Sequence, residues 1–191
     1  LVLSGGGALG MAHVGAIQEL ERMGIHPDLV VGTSMGAIVG GLYASGLDGQ
    51  ALERVVREID WRGVFDSTPA RRNQTYRQKA QQADFPVRAS LALDGAGVVL
   101  PAGAISDQKL LQELRRFSPV KGALNSFDTL PIPFRAVATD IETGQPVVID
   151  HGELPIALRA SMAVPGVFAP IALDGRLLVD GGMSANIPIS I

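Results

Sequence analysis

The chain has no cysteine, which excludes disulfides, thiolate metal sites and cysteine nucleophiles in one step. Charge is also sparse. Only 18% of residues are Asp, Glu, Lys or Arg, and the net charge of −3 gives no electrostatic footing for nucleic acid. No repeat, low-complexity tract or linker divides the chain, and no secretory signal is visible. Leu1-Val2-Leu3 stands directly before a glycine run, like the tail of a strand. The reading is therefore one domain over residues 1–191, trimmed at both ends.

What is abundant is apolar: 47% of residues are hydrophobic, which fits a buried-sheet protein of 191 residues with a substantial core. Leu29 to Leu47 carries no charge and is long enough to span a bilayer. It also holds Gly32, Gly36, Gly40, Gly41 and Gly46, with Thr33, Ser34 and Ser45. A buried strand, a tight turn and a buried helix account for it better.

The periodicity predicts a strand at 1–3, a glycine loop at 5–10 and a helix over 11–23 with Gly24 as its cap. It then predicts an apolar strand at 29–31, a helix over 36–45 stopped by Gly46, and an amphipathic helix over 50–59. Residues 61–86 read as a surface excursion with short helical turns. They carry Arg71, Arg72, Arg77 and Lys79, either a solvated face or a patch toward lipid phosphates. A hairpin is expected around Asp94-Gly95-Ala96-Gly97, then a helix capped by Ser106 and carrying Leu110, Leu111, Leu114 and Phe117. Strands follow at 134–138 and 146–149, a helix at 154–161, and strands at 172–173 and 177–179 joined at Asp174-Gly175. The order implies an α/β fold, a mostly parallel sheet with helices on both faces.

Three segments carry chemistry. Gly32-Thr33-Ser34-Met35-Gly36 is a G-x-S-x-G between an apolar strand and a helix, the context a nucleophile elbow requires. Small neighbours let the serine sit on a strained turn. The helix that follows favours negative charge there, and the Met35 N–H can bond an oxyanion.

Gly5-Gly6-Gly7-Ala8-Leu9-Gly10 admits two readings. As G-x-G-x-x-G after a strand it is a dinucleotide fingerprint, which needs an acidic residue at the end of the next strand. Asp28 lies at that strand's beginning instead. Alternatively, the loop's N–H groups bind an oxyanion beside Ser34.

For a base, the three histidines offer little: His26 and His151 sit in loops, while His13 is close enough to the glycine loop to stay a candidate. Asp180 follows Leu177-Leu178-Val179 and precedes Gly181-Gly182, which puts a carboxylate at a strand terminus. Asp140 is its competitor. A carboxylate can serve as base if burial raises its pKa.

With these residues in order, the sequence resembles the patatin-like phospholipases. Ala160-Ser161-Met162-Ala163-Val164-Pro165-Gly166-Val167-Phe168 is similar to that family's Ser-Pro-bearing segment, and Asn186 and Pro188 match the stretch after the aspartate. The resemblance implies a Ser34–Asp180 dyad without histidine. It implies an oxyanion hole from Gly5, Gly6, Gly7 and Ala8, with Gly10, Gly32, Gly36, Gly181 and Gly182 in supporting places. It further implies calcium-independent hydrolysis of phospholipid or lysophospholipid esters with no cofactor or metal, and transient contact with a membrane surface. One departure is Leu9, where many members carry Arg or Lys; Arg159 is the candidate substitute. Phe134 to Asp140 looks most like a bacterial branch, some of whose members are exported with an outer-membrane barrel. A nucleotide-binding module using the glycine loop and a catalytically silent lipid-binding domain are the alternatives.

Overall fold

The computed structural model describes residues 1–61, 64, 92–94, 97–99 and 107–191. The basic stretch with Arg71, Arg72, Arg77 and Lys79, the Ser106 cap and the Gly95-Ala96 turn lie outside the described residues.

Strand β1 (Val2–Leu3) leads into a 3-10 turn (Gly7–Met11) and helix α1 (Ala12–Arg22). Strand β2 (Val30–Thr33) is followed at once by α2 (Met35–Ala44), then α3 (Gly49–Glu58), whose first turn is capped by the Asp48 side chain on the Ala51 N–H. A hairpin, β3 (Ala92–Asp94) and β4 (Gly97–Val99), precedes α4 (Asp107–Phe117). Next come β5 (Ala123–Leu124), β6 (Phe134–Asp140), β7 (Pro146–Ile149), β8 (Gly152–Glu153) and α5 (Leu154–Ser161). Finally β9 (Ile171–Leu173), β10 (Arg176–Asp180) and one helical turn (Gly182–Ala185) approach the end of the chain.

The α/β expectation holds, with a mixed central sheet in the order β1-β2-β6-β10-β9 and β7 also on β6. The β1–β2 and β2–β6 pairs are parallel, as the apolar run Leu29-Val30-Val31 implied. β6–β7 and β9–β10 are antiparallel because short turns at Thr143-Gly144 and Asp174-Gly175 return the chain without a crossover, and β10 also runs antiparallel to β6.

One detail of register organises the molecule. Gly32 and Thr33 of β2 pair with Ala136 and Val137 of β6, while Asp180 and Val179 of β10 pair with Ala138 and Thr139. β7 pairs with that same stretch, Ala136 through Thr139, and so occupies the other edge of β6. β2 and β10 must therefore share one edge, end to end, with their carboxyl termini facing each other. A Cβ built on Gly181 would lie 3.1 Å from the Thr33 methyl, which confirms how closely the two ends meet.

The two sheet faces are covered unequally. Leu3, Val30, Phe134, Ala136 and Leu178 join the long helices in a single apolar cluster. On the opposite face, the Thr33 hydroxyl donates to the Ala185 carbonyl and the Thr139 hydroxyl contacts Ser184, seating the helical turn 182–185. Every residue of α2 is buried, and the uncharged stretch is core from Val30 to Ser45. Among the described residues no helix is long and apolar enough to cross a membrane.

α2 packs unusually close. A Cβ at Gly36 would overlap the carbonyl oxygens of Leu3 and Ser4, and one at Gly40 would come within 2.8 Å of Val30. Backbone cannot yield as a flexible side chain can. Gly36→Ala is expected to cost roughly 2–3 kcal/mol, read as a lower urea midpoint at unchanged slope. A midpoint equal to wild type would show that α2 has room to move away.

Candidate active site

Ser34 stands between β2 and α2 with φ 54° and ψ −121°, a positive φ that L-residues rarely adopt. Its neighbours explain how the turn is tolerated. A Cβ on Gly32 would meet the Gly36 carbonyl at 2.5 Å and the Ala37 backbone at 2.6 Å, so strand and helix touch backbone to backbone. The Ala37 and Ile38 N–H groups bond the Ser34 carbonyl, whereas the Ser34 side chain caps nothing and stays available. Ser34 is 5% exposed and Asp180 7%, so the pair sits at the floor of a shielded site.

Asp180 arrives from the facing strand end. Its Oδ1 accepts the Gly182 N–H at 2.7 Å. Its Oδ2 is buried and carries no hydrogen bond of good geometry, and Ser34 is the side chain that reaches the carboxylate. Burial pushes the Asp180 carboxyl above the ordinary value of 3.8; the Ser34 hydroxyl and the Gly182 N–H pull the other way without cancelling it. An underbonded carboxylate with a raised pKa beside a serine hydroxyl is chemically a proton acceptor.

The glycine loop does converge on the elbow. A Cβ on Gly5 would lie 3.2 Å from the Ser34 Cβ, and one on Gly10 would lie 2.7 Å from the Met35 Cβ. The segment that reads as a loop ends in a 3-10 turn, whose opening N–H groups lack intrahelical partners. Gly5 requires a correction as an oxyanion donor, because its N–H is committed to the Asn186 carbonyl at 3.1 Å. Gly6, Gly7 and Ala8 are exposed, and Leu9 supplies the first internal bond of the turn, to the Gly6 carbonyl. Met35 opens α2 on the other side.

The remaining candidates fall elsewhere. His13 Nε2 contacts the Ser4 carbonyl at 2.9 Å, and His151 lies between Asp150 and Asp174 on the surface. Asp140 Oδ1 accepts the Glu142 N–H, as ordinary turn chemistry. Asp28 is exposed at the entrance of β2, the end opposite Ser34, where it could not hold a ribose. Leu9 is 84% exposed, while Arg159 is buried under the Phe168 ring at 4.6 Å and donates to the Ala169 carbonyl. Arg159 therefore braces the 162–170 loop and does not replace a cation at Leu9. Among the described residues no cluster of His, Asp and Glu is arranged to hold a metal.

Two contributors carried no assigned role in the sequence reading. Asn186 ties the glycine loop to the chain after Asp180 through its backbone carbonyl. Ser161 is wholly buried and accepts the Ser34 N–H at 2.8 Å. A serine at the end of a helix that is apolar from Leu154 to Ala160 except for Arg159 was the available signal.

A strand–elbow–helix carrying an inward serine, faced by a buried aspartate and a glycine turn, defines an α/β protein with a hydrolase-like site. A patatin-like phospholipase family model matches residues 1–191, and the chain belongs to that family. An uncharacterized NTE family protein of Mycobacterium tuberculosis is 36% identical over the whole chain, which spans 44% of that relative. The protein named lysophospholipase NTE1 of Scheffersomyces stipitis is 31% identical over the whole chain, which spans 10% of it. The chain thus covers less than half the length of these relatives. Relatives this similar come from bacteria, yeast and also the nematode Caenorhabditis elegans, so the bacterial branch expected from Phe134 to Asp140 is not singled out. Among solved structures, VipD from Legionella pneumophila superposes with a TM-score of 0.58 at 16% identity, over 97% of this chain and 46% of that one. The type III effector ExoU gives 0.50 at 19% identity, over 86% and 39%. Both likenesses concern the fold alone.

Proposed function

We propose that the protein is a serine acyl hydrolase that cleaves phospholipid or lysophospholipid esters through a Ser34–Asp180 dyad. The observation that carries this reading is the buried Asp180 carboxylate, raised in pKa and facing Ser34 on its strained turn. Asp180 takes the Ser34 hydroxyl proton as Oγ attacks the ester carbonyl. The tetrahedral oxyanion draws on the N–H groups of Gly6, Gly7, Ala8 and Met35, with the positive end of α2 behind them. The intermediate then collapses. The leaving alcohol takes the proton from Asp180, and the acyl group stays on Ser34. Water, deprotonated by Asp180, attacks the acyl-enzyme; the second intermediate collapses, Ser34 Oγ leaves with the proton returned by Asp180, and the fatty acid is released. No cofactor or metal enters this scheme. The lipid class is supported by family membership and by the name of the yeast relative.

Intact mass after treatment with a fluorophosphonate tests it. One adduct is expected on wild type and none on Ser34→Ala, with lysophospholipid turnover lost in parallel. An adduct that persists on folded Ser34→Ala would place the reactive serine elsewhere. A wild-type protein that binds liposomes but takes no adduct would favour a silent lipid-binding domain.

A further inference from the structure

Where β2 and β10 meet head-on, the ladder along β6 is interrupted. Thr33 is opposite Val137 and Asp180 opposite Ala138, so no residue is left between them to continue the sheet. At this seam the Ser161 hydroxyl accepts the Ser34 N–H at 2.8 Å and donates to the Val137 carbonyl at 2.6 Å. The directions are fixed, because the amide can only donate and the carbonyl can only accept. The Ser161 carbonyl also accepts the Gly181 N–H at 3.2 Å, and two residues on the Ala163 carbonyl accepts the Asp180 N–H at 2.9 Å. One buried segment therefore holds the backbone on both sides of the Ser34–Asp180 gap.

We infer that Ser161 is a positioning residue that sets the distance and angle between Ser34 and Asp180. The inference rests on the reading of Ser34 as nucleophile. The hydroxyl stands where a direct Ser34–Val137 ladder bond would otherwise form. It lets the chain leave the sheet at Ser34 and turn into its positive-φ conformation with no buried amide unbonded. It also commits the Ser34 N–H, leaving Met35 as the first amide of the elbow open to an oxyanion. A serine acting only through packing would not link the three strands β2, β6 and β10 by hydrogen bonds.

The test separates binding from chemistry. The rate constant of phosphonylation and the reversible affinity for one fluorophosphonate are measured on wild type, Ser161→Ala, Ser161→Cys and Ser161→Thr. The temperature is kept well below each melting point, with folding checked by circular dichroism. For Ser161→Ala the rate constant is expected to fall about 100-fold, the scale of a misplaced nucleophile, with affinity within about threefold. Thr, which keeps the hydroxyl, is expected to recover most of the loss, and Cys to fall between. A folded Ser161→Ala labelled within about threefold of wild type overturns the inference. If the alanine variant does not fold, Ser161→Cys decides: it is expected to lose about tenfold, and wild-type labelling by it overturns the inference equally. Wild type that takes no adduct at Ser34 sinks the hydrolase reading itself, a separate result.

Discussion

Asp180→Asn is expected to lose roughly 10³- to 10⁴-fold in turnover while the domain becomes more stable at neutral pH. The two effects share a cause. The wild-type carboxylate is buried with one oxygen, Oδ2, poorly bonded, and its folded pKa lies above the ordinary 3.8. Over the interval between the unfolded and folded pKa values, the folded state holds more protons than the unfolded state. Stability contributed by this group therefore falls as pH rises through that interval, and above it the fold carries the full cost of a buried charge. An amide has the same shape, keeps an acceptor for the Gly182 N–H and carries no charge. Relief of about 1 kcal/mol is expected at pH 7, shrinking as pH falls through that same interval and gone below the ordinary carboxylate value. Wild-type activity should fall in the opposite sense, its acid limb lying above that ordinary range because only ionised Asp180 accepts a proton. Urea midpoints at neutral and acidic pH, with a pH profile of kcat/KM, check both halves. An inactive Asp180→Asn that is also destabilised at neutral pH would mean that the carboxylate holds the seam together and bears no cost of burial.

Much of this site is legible in the sequence because each part is local. G-x-S-x-G between an apolar run and a small-residue helix prescribes the elbow, and the elbow is present with Ser34 at φ 54°. Leu177-Leu178-Val179-Asp180-Gly181-Gly182 prescribes a carboxylate at a strand end, and β10 ends there. Tight turns at Thr143-Gly144 and Asp174-Gly175 were also readable, yet their consequence for a sheet expected to be mostly parallel was not. A hairpin turn fixes the neighbour's direction, but the edge it joins depends on contacts made far along the chain. The end-to-end meeting of β2 and β10 is of that kind. Its residues are 147 apart in the sequence, from Thr33 to Asp180, and only the register on β6 reveals it. Gly5 shows the same limit. Its place in the glycine run suggested an oxyanion donor, and only the return of the chain to Asn186 shows that its N–H is already used.

Ser34→Gly is expected to abolish turnover as completely as Ser34→Ala, yet to leave a protein about 1 kcal/mol more stable than the alanine variant. At φ 54° and ψ −121° any side chain strains the backbone, by an amount on the order of 1–3 kcal/mol. Alanine removes the hydroxyl but retains the Cβ, so it keeps the strain and deprives Asp180 of the side chain that reaches it. Glycine removes both. Its greater freedom in the unfolded chain costs about 0.5–1 kcal/mol, which reduces the gain without reversing it. No helix cap is lost in either case, because the Ser34 side chain caps nothing in α2. The Ser161 bond to the Ser34 amide is a backbone contact and survives both substitutions. The difference between the two urea midpoints therefore isolates the conformational cost of presenting a hydroxyl at the elbow. A glycine variant no more stable than alanine would show that the turn is held without strain. The rigidity of Ser34 would then come from the seam with β10 and Ser161 alone.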